Sequence, residues 1–302
     1  MVIADRVLAG VVTIVGDVGS YQGAYVFAGM LLYTLQLYAD FTGGIDITIG
    51  LSETLGIRVK ENFDRPYFSK SLKEYWRRWH ISMCSWFRDY LFYPVASSKA
   101  MQKLLKFSKA HFGESFGKRL PVYLSSFIVW FATGLWHGAS WNFIVWGLCN
   151  WAVLMISEEL EPLYDRFHKR FPGYTGTGVK IFQIARTFLL VCIMNLFDCY
   201  HTIGETFTAF ASMFTTANWN VLFDGSLLNI GLSALDYVIA AAGTLIMFTA
   251  SMLQRKRALR EQIGELCYPL RFIIFFGMFL IILLMGAYGV GYDSSQFIYN
   301  QF

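Results

Sequence analysis

The stretch Trp136-His137-Gly138-Ala139-Ser140-Trp141 sets a histidine at the junction of two long apolar segments. Imidazole has an unperturbed pKa near neutrality, so it can take a proton and return it at physiological pH. An ionisable group at membrane depth is a functional-site hypothesis by default. The plainer alternative is an interfacial aromatic belt, two Trp rings at headgroup level with a His between them. A second histidine, His80, closes Tyr75-Trp76-Arg77-Arg78-Trp79-His80, where aromatics and cations interleave. Carboxylates form a third group: Asp40, and then Asp46 and Glu53, seven residues apart and so on one helical face with Thr42. A carboxylate at mid-bilayer costs roughly 2.5–3.5 kcal/mol, so that face is expected to point inward, to a cavity or to Arg partners. For Glu53 a hydrogen-bonding face that orients neighbouring helices is the preferred reading; for Asp40 and Asp46 both readings stay open.

These residues need elements to hold them, and the composition says which. The 302 residues are 55% hydrophobic, 18% aromatic and 15% charged; soluble domains carry about 25% charged residues, so the chain belongs in lipid. Six segments have the roughly 20 apolar residues needed to cross a bilayer: 22–39, 120–137, 139–157, 180–200, 232–253 and 271–290. Segment 41–57 is a polar seventh candidate, and residues 1–16 are a weaker stretch. The fold class expected is all-α and polytopic, in one membrane domain over residues 1–302. Lys and Arg gather in 58–119, 158–179 and 254–271, which places those loops in the cytoplasm and 200–231 outside. Segment 120–137 then runs outward, 139–157 returns, and His137 sits at the turn.

No signal peptide is expected, since Asp5 and Arg6 interrupt the first apolar run. Five dispersed cysteines without a Cys-x-x-Cys pair predict neither a disulfide framework nor a metal site. The net charge of +4 resides in loops beside spans and does not suggest nucleic acid.

Ser71-Leu72-Lys73-Glu74 predicts a capping box, opening a short helix through His80. Glu74 and Arg78 are spaced to pair, and Trp76 and His80 to share a face. Residues 81–95, apolar but broken by Arg88-Asp89, suit a re-entrant segment buried in protein; an amphipathic helix on the cytoplasmic leaflet is the alternative. Gly113-Glu114-Ser115-Phe116-Gly117 matches G-x-S-x-G, but a nucleophile elbow needs a preceding strand that is not expected here. His111 and His168 lie among cations in polar loops and read as solvated; His201 reads as ordinary surface.

An ordered set of motifs resembles one family. Tyr38-Ala39-Asp40-Phe41-Thr42-Gly43, Asn62-Phe63-Asp64-Arg65-Pro66-Tyr67, Tyr75 to Ser82, Trp86-Phe87-Arg88-Asp89-Tyr90, Thr133 to Ala139 and the closing Gln296 to Phe302 together resemble the membrane-bound O-acyltransferase superfamily. The branch is the bacterial alginate O-acetyltransferase-like group, related to D-alanyl-lipoteichoic-acid transferases. Departures at Gly44-Ile45 and Ala96-Ser97-Ser98 leave donor and acceptor open. Met1 to Arg6 resembles an internal family segment, so several N-terminal spans are expected to be absent and the chain to represent the C-terminal two-thirds of the fold.

The resemblance implies a ring of tilted helices around a thin core, with funnels from both faces meeting near the catalytic histidine, in the bacterial cytoplasmic membrane. It implies transfer of an acyl group from a cytoplasmic thioester such as acetyl-CoA, with no bound cofactor, to a hydroxyl of a surface polysaccharide or a relay partner resembling an esterase. His137 maps onto the catalytic position and His80 onto the second motif histidine. His137 is expected to act as general base, contributing roughly 10²–10⁴-fold, kept neutral by partial desolvation between Trp136 and Trp141. His80 would orient the donor, hydrogen-bond the oxyanion or hold the re-entrant segment. Asp40, Asp46, Trp76, Arg77, Arg88, Asp89, Trp136 and Asn142 are substrate-binding candidates, although positive-inside topology alone accounts for the arginines. Asn142 lies five residues past His137, so no bond to the imidazole is implied. The competing classes are a transporter or flippase and a non-catalytic scaffold.

Overall fold

The computed structural model describes residues 2–171, 173–174, 176–255 and 257–287; Lys256 and the closing Gln296 to Phe302 lie outside them. Among the described residues every regular element is helical: α1 Ala4–Gly16, α2 Ala24–Thr54, α3 Leu72–Trp76, α4 Ile81–Phe87, α5 Tyr93–Ala96, α6 Lys99–His137, α7 Trp141–Glu159, α8 Glu161–Arg170, α9 Thr177–Cys199, α10 Ile203–Thr215, α11 Ala234–Leu253, α12 Leu259–Gly264 and α13 Tyr268–Met285. Three of them, α9, α11 and α13, are long and apolar enough to cross a membrane, and α7 with α8, bent by 46° at their junction, make a fourth candidate. The chain is all-α and polytopic. Segment 41–57, expected as a separate span, instead continues the helix of 22–39 as α2.

The described chain divides into two compact units, residues 1–47 with 207–302, and 48–206. In the first, Ile14, Ile230 and Leu232 form a buried cluster with Tyr21, Tyr25 and Tyr237 around it. The free donors at the start of α2 are met from far along the chain: Gly23 N–H donates to Ser212 Oγ (3.0 Å) and Ala24 N–H to Asn218 Oδ1 (2.8 Å). Ser233 and Asp236 close a reciprocal capping box on α11, and Asp236 also pairs with Arg6 of α1.

The second unit, 48–206, carries the histidines. Ser98 and Ser140 cap α6 and α7, accepting from Met101 N–H and Asn142 N–H at 3.3 Å each. Helix α6 is interrupted at Gly113, whose φ of 81° an L side chain rarely adopts. Its first arm folds back there, so Ser108 Oγ donates to Gly117 O across 2.8 Å. The G-x-S-x-G pattern is therefore a helical reversal with no strand before it. The second arm runs to His137 and packs closely on α7. A Cβ on Gly134 would stand 2.6 Å from Phe143 O, so only glycine lets the two backbones approach this far. At their far ends Arg119 pairs with Glu159 (2.8 Å), and Tyr123 donates to the same carboxylate. Lys73 reaches Glu158 (3.0 Å), tying α3 to the end of α7, and Arg186 of α9 donates to Lys70 O (2.8 Å).

Candidate active site

His137 is the last residue of α6 and His80 immediately precedes α4, and one indole joins them. The Trp136 ring lies 5.1 Å from the His137 ring and 6.0 Å from the His80 ring, centroid to centroid. Trp146, 4% exposed on α7, lies nearer still to His137 at 4.5 Å, with Phe143 at 6.1 Å. Trp141, expected to shield His137, is 70% exposed; Trp146 holds that place. The reason is the turn at 138–140, after which α7 starts with Trp141 and brings its second turn against α6.

Trp76 supports this wall from behind. Its ring meets Trp130 at 5.1 Å and Trp146 at 5.7 Å edge-on, and its Nε1–H donates to Asn150 Oδ1 at 3.0 Å. Tyr75, Trp79, Tyr67 and Phe63 extend the aromatic cluster around α3. The helix carrying Trp76 ends at that residue, and His80 takes a left-handed conformation (φ 46°, ψ 54°). Trp76 and His80 therefore do not share a helical face, contrary to the spacing argument. The capping expectation holds in part: Ser71 Oγ accepts from Glu74 N–H (3.2 Å), but Glu74 accepts from Lys70 N–H (2.7 Å) rather than from Ser71. The Glu74–Arg78 pair forms at 2.7 Å.

His80 is held by a residue that spacing alone did not single out. Asn62 Oδ1 lies 3.2 Å from His80 Nδ1 and accepts from Ser82 N–H (3.0 Å) and Ser82 Oγ–H (2.6 Å). Backbone bonds run beside it, Ile81 N–H to Asn62 O (3.0 Å) and Asp64 N–H to Arg78 O (2.9 Å). Burial lowers the His80 pKa to about 4, so the ring is neutral at physiological pH. Asn62 lies inside a quoted motif, yet only the fold across 18 residues shows what it does.

Arg77, Arg88, Asp89 and Asn142, the remaining candidates in this unit, do not join the two histidines. Arg88 and Asp89 pair with each other at 2.8 Å, and both are exposed. The segment around them is helical, with a π-helical stretch Arg88–Phe92, and Trp86, Tyr90 and Tyr93 are exposed. It is not buried within the described protein as expected; Phe87, buried and 6.4 Å from Trp136, joins it to the wall. Arg77 is exposed. Asn142 is buried and donates to Tyr200 O (2.5 Å) and Thr206 Oγ1 (3.4 Å), fastening the start of α7 to the end of α9. Asp46 and Glu53, expected to turn inward, are exposed on α2. Asp40 and Asp46 belong to the other unit. No three His, Cys, Asp or Glu side chains gather into a metal-binding group among the described residues.

Residues 18–199, which include both histidines, match the family model described as MBOAT, membrane-bound O-acyltransferase family. Among similar proteins, "Probable alginate O-acetylase AlgI" of Pseudomonas aeruginosa is 31% identical over 76% of this chain and 39% of its own length. "Teichoic acid D-alanyltransferase" of Bacillus subtilis is 32% identical over 58% of this chain and 40% of its own. "Peptidoglycan O-acetyltransferase" of Helicobacter pylori is 32% identical over 47% of this chain and 24% of its own. The chain spans between about a quarter and two fifths of the length of these relatives. With well over half of its residues inside the matched region, and two histidines sharing one indole there, the chain belongs to the membrane-bound O-acyltransferase family.

Proposed function

We propose that this chain carries the catalytic part of an O-acyltransferase in a single membrane domain, moving an acyl group from a cytoplasmic thioester to a hydroxyl on the outer side. One observation carries the reading: His137 and His80 converge on the Trp136 ring within the region matched to the family. In the proposed reaction a nitrogen of His137 takes the hydroxyl proton while that oxygen bonds to the thioester carbon. The carbonyl oxygen carries the negative charge until the C–S bond breaks, and the leaving thiolate then takes the proton from His137. A placed imidazole base of this kind accounts for roughly 3–5 kcal/mol of barrier. Trp146, 4% exposed, and Phe143 limit water on one side of the base, whereas Trp136 is itself 47% exposed.

Acetyl is the acyl group favoured, with a surface polysaccharide or a relay protein as acceptor, in line with the relatives named for alginate and peptidoglycan O-acetylation. D-alanyl transfer to teichoic acid is the second reading, favoured by the Bacillus subtilis relative. The test is His137→Ala in the full-length protein, with mass spectrometry of surface polymer. Loss of polymer acylation with unchanged expression and insertion is expected; unaltered acylation would remove His137 from the reaction.

A further inference from the structure

The second histidine sits in a hydrogen-bond arrangement that admits one tautomer of the neutral ring. Ser82 N–H is a backbone donor and cannot reverse its role. It points at Asn62 Oδ1 at 3.0 Å, so the amide must present its oxygen there; the flipped amide would set two donors against each other. That same oxygen faces His80 Nδ1 at 3.2 Å. An amide oxygen only accepts, so Nδ1 must carry the hydrogen. Asn62 is 4% exposed and His80 9% exposed, so water does not readily replace this bond.

We infer that Asn62 is a positioning residue that fixes neutral His80 as the Nδ1–H tautomer, leaving the lone pair on Nε2. This rests on the acyltransfer reading for its functional meaning, though not for its geometry. A neutral ring whose only N–H is committed to Asn62 has no hydrogen to give an oxyanion. Nε2 is then an acceptor and not a donor, suited to receive a hydrogen bond from the thiol released when the C–S bond breaks. His80 then belongs with the groups that orient or receive protons, and stabilisation of the oxyanion falls to other donors. The backbone agrees: Ile81 N–H bonds to Asn62 O at 3.0 Å, so one residue holds both the left-handed turn at His80 and its ring.

The experiment is nitrogen NMR of the full-length protein, labelled with ¹⁵N-histidine and reconstituted in nanodiscs, with His80→Gln to assign the signal. Wild-type His80 at neutral pH is expected to show a protonated Nδ1 and an unprotonated Nε2; a protonated Nε2 in the neutral ring overturns the inference. Asn62→Ala is expected to populate both tautomers and to lower kcat by about tenfold or more, with a much smaller change in the donor KM. Asn62→Asp retains an acceptor oxygen and is expected to restore the Nδ1–H pattern. An unchanged tautomer in Asn62→Ala, or unchanged kcat once the tautomers mix, also overturns it. Absence of transfer by the wild-type protein would count against the acyltransfer reading alone, because the nitrogen shifts report the tautomer without turnover.

Discussion

Gly134→Ala probes whether the α6–α7 contact sets the position of the base. The added Cβ would stand 2.6 Å from Phe143 O and 2.9 Å from Ile144 Cα, whereas ordinary contact begins at 3.4 Å. Both obstacles are backbone, so no rotamer change relieves them, and the helices must separate by about 0.8 Å at this level. Overpacking of this kind costs about 1–3 kcal/mol, offset by about 1 kcal/mol of helix propensity gained on replacing glycine. The net loss of stability is then about 0–2 kcal/mol. The effect on rate is larger, since a misplacement near 1 Å costs on the order of 10²-fold and His137 lies three residues further along the same helix. Two measurements on protein in proteoliposomes separate these effects: thermal unfolding, and transfer from a radiolabelled acyl thioester. The expected result is a modest fall in midpoint with a rate loss of about 10- to 100-fold. Gly277→Ala in α13, where a Cβ meets nothing within 4 Å, is the control and should leave the rate unchanged while gaining about 1 kcal/mol of helix propensity without the clash. A Gly134→Ala protein with wild-type rate would refute the idea that this contact places the base.

Asn150→Leu strands the Trp76 indole N–H, and with Asn150 1% exposed the expected cost is about 1–3 kcal/mol, read from denaturant or thermal unfolding. A double-mutant cycle with Trp76→Phe should show that the two losses are not additive. Ser108→Ala removes the buried bond to Gly117 O and should cost about 1 kcal/mol, seen as faster hydrogen exchange in residues 99–112 with α9 unaffected. Hydrogen bonds from Arg257 hold the Glu265 carboxyl below its ordinary range. The order they give the 257–265 turn is therefore complete above the ordinary glutamate pKa and is lost as pH falls through the depressed value. Exchange across that turn at falling pH measures it, and Arg257→Gln should abolish the dependence.

Much of this protein was legible along the chain. Apolar runs located the helices, Ser71 marked the start of α3, and the placing of His137 at a hairpin turn followed from two adjacent apolar segments. The four-residue spacing of Glu74 and Arg78 also anticipated their pair. These are local features, decided within a few residues by periodicity and capping.

What the sequence left undecided depended on contacts between residues far apart in the chain. Trp146 rather than Trp141 covers His137, because close packing at Gly134 fixes the register of α7 against α6. His80 departs from the helix of Trp76 because Asn62, 18 residues earlier, binds its backbone neighbour and its ring together. The reversal at Gly113 and the exposure of Asp46 and Glu53 likewise show only in the folded chain. Residue chemistry alone determined that two imidazoles and several indoles stand in an apolar, multi-span chain. Tertiary structure decided that both imidazoles share one indole and which nitrogen of His80 faces an acceptor, because hydrogen-bond direction and ring contact are properties of positions in space.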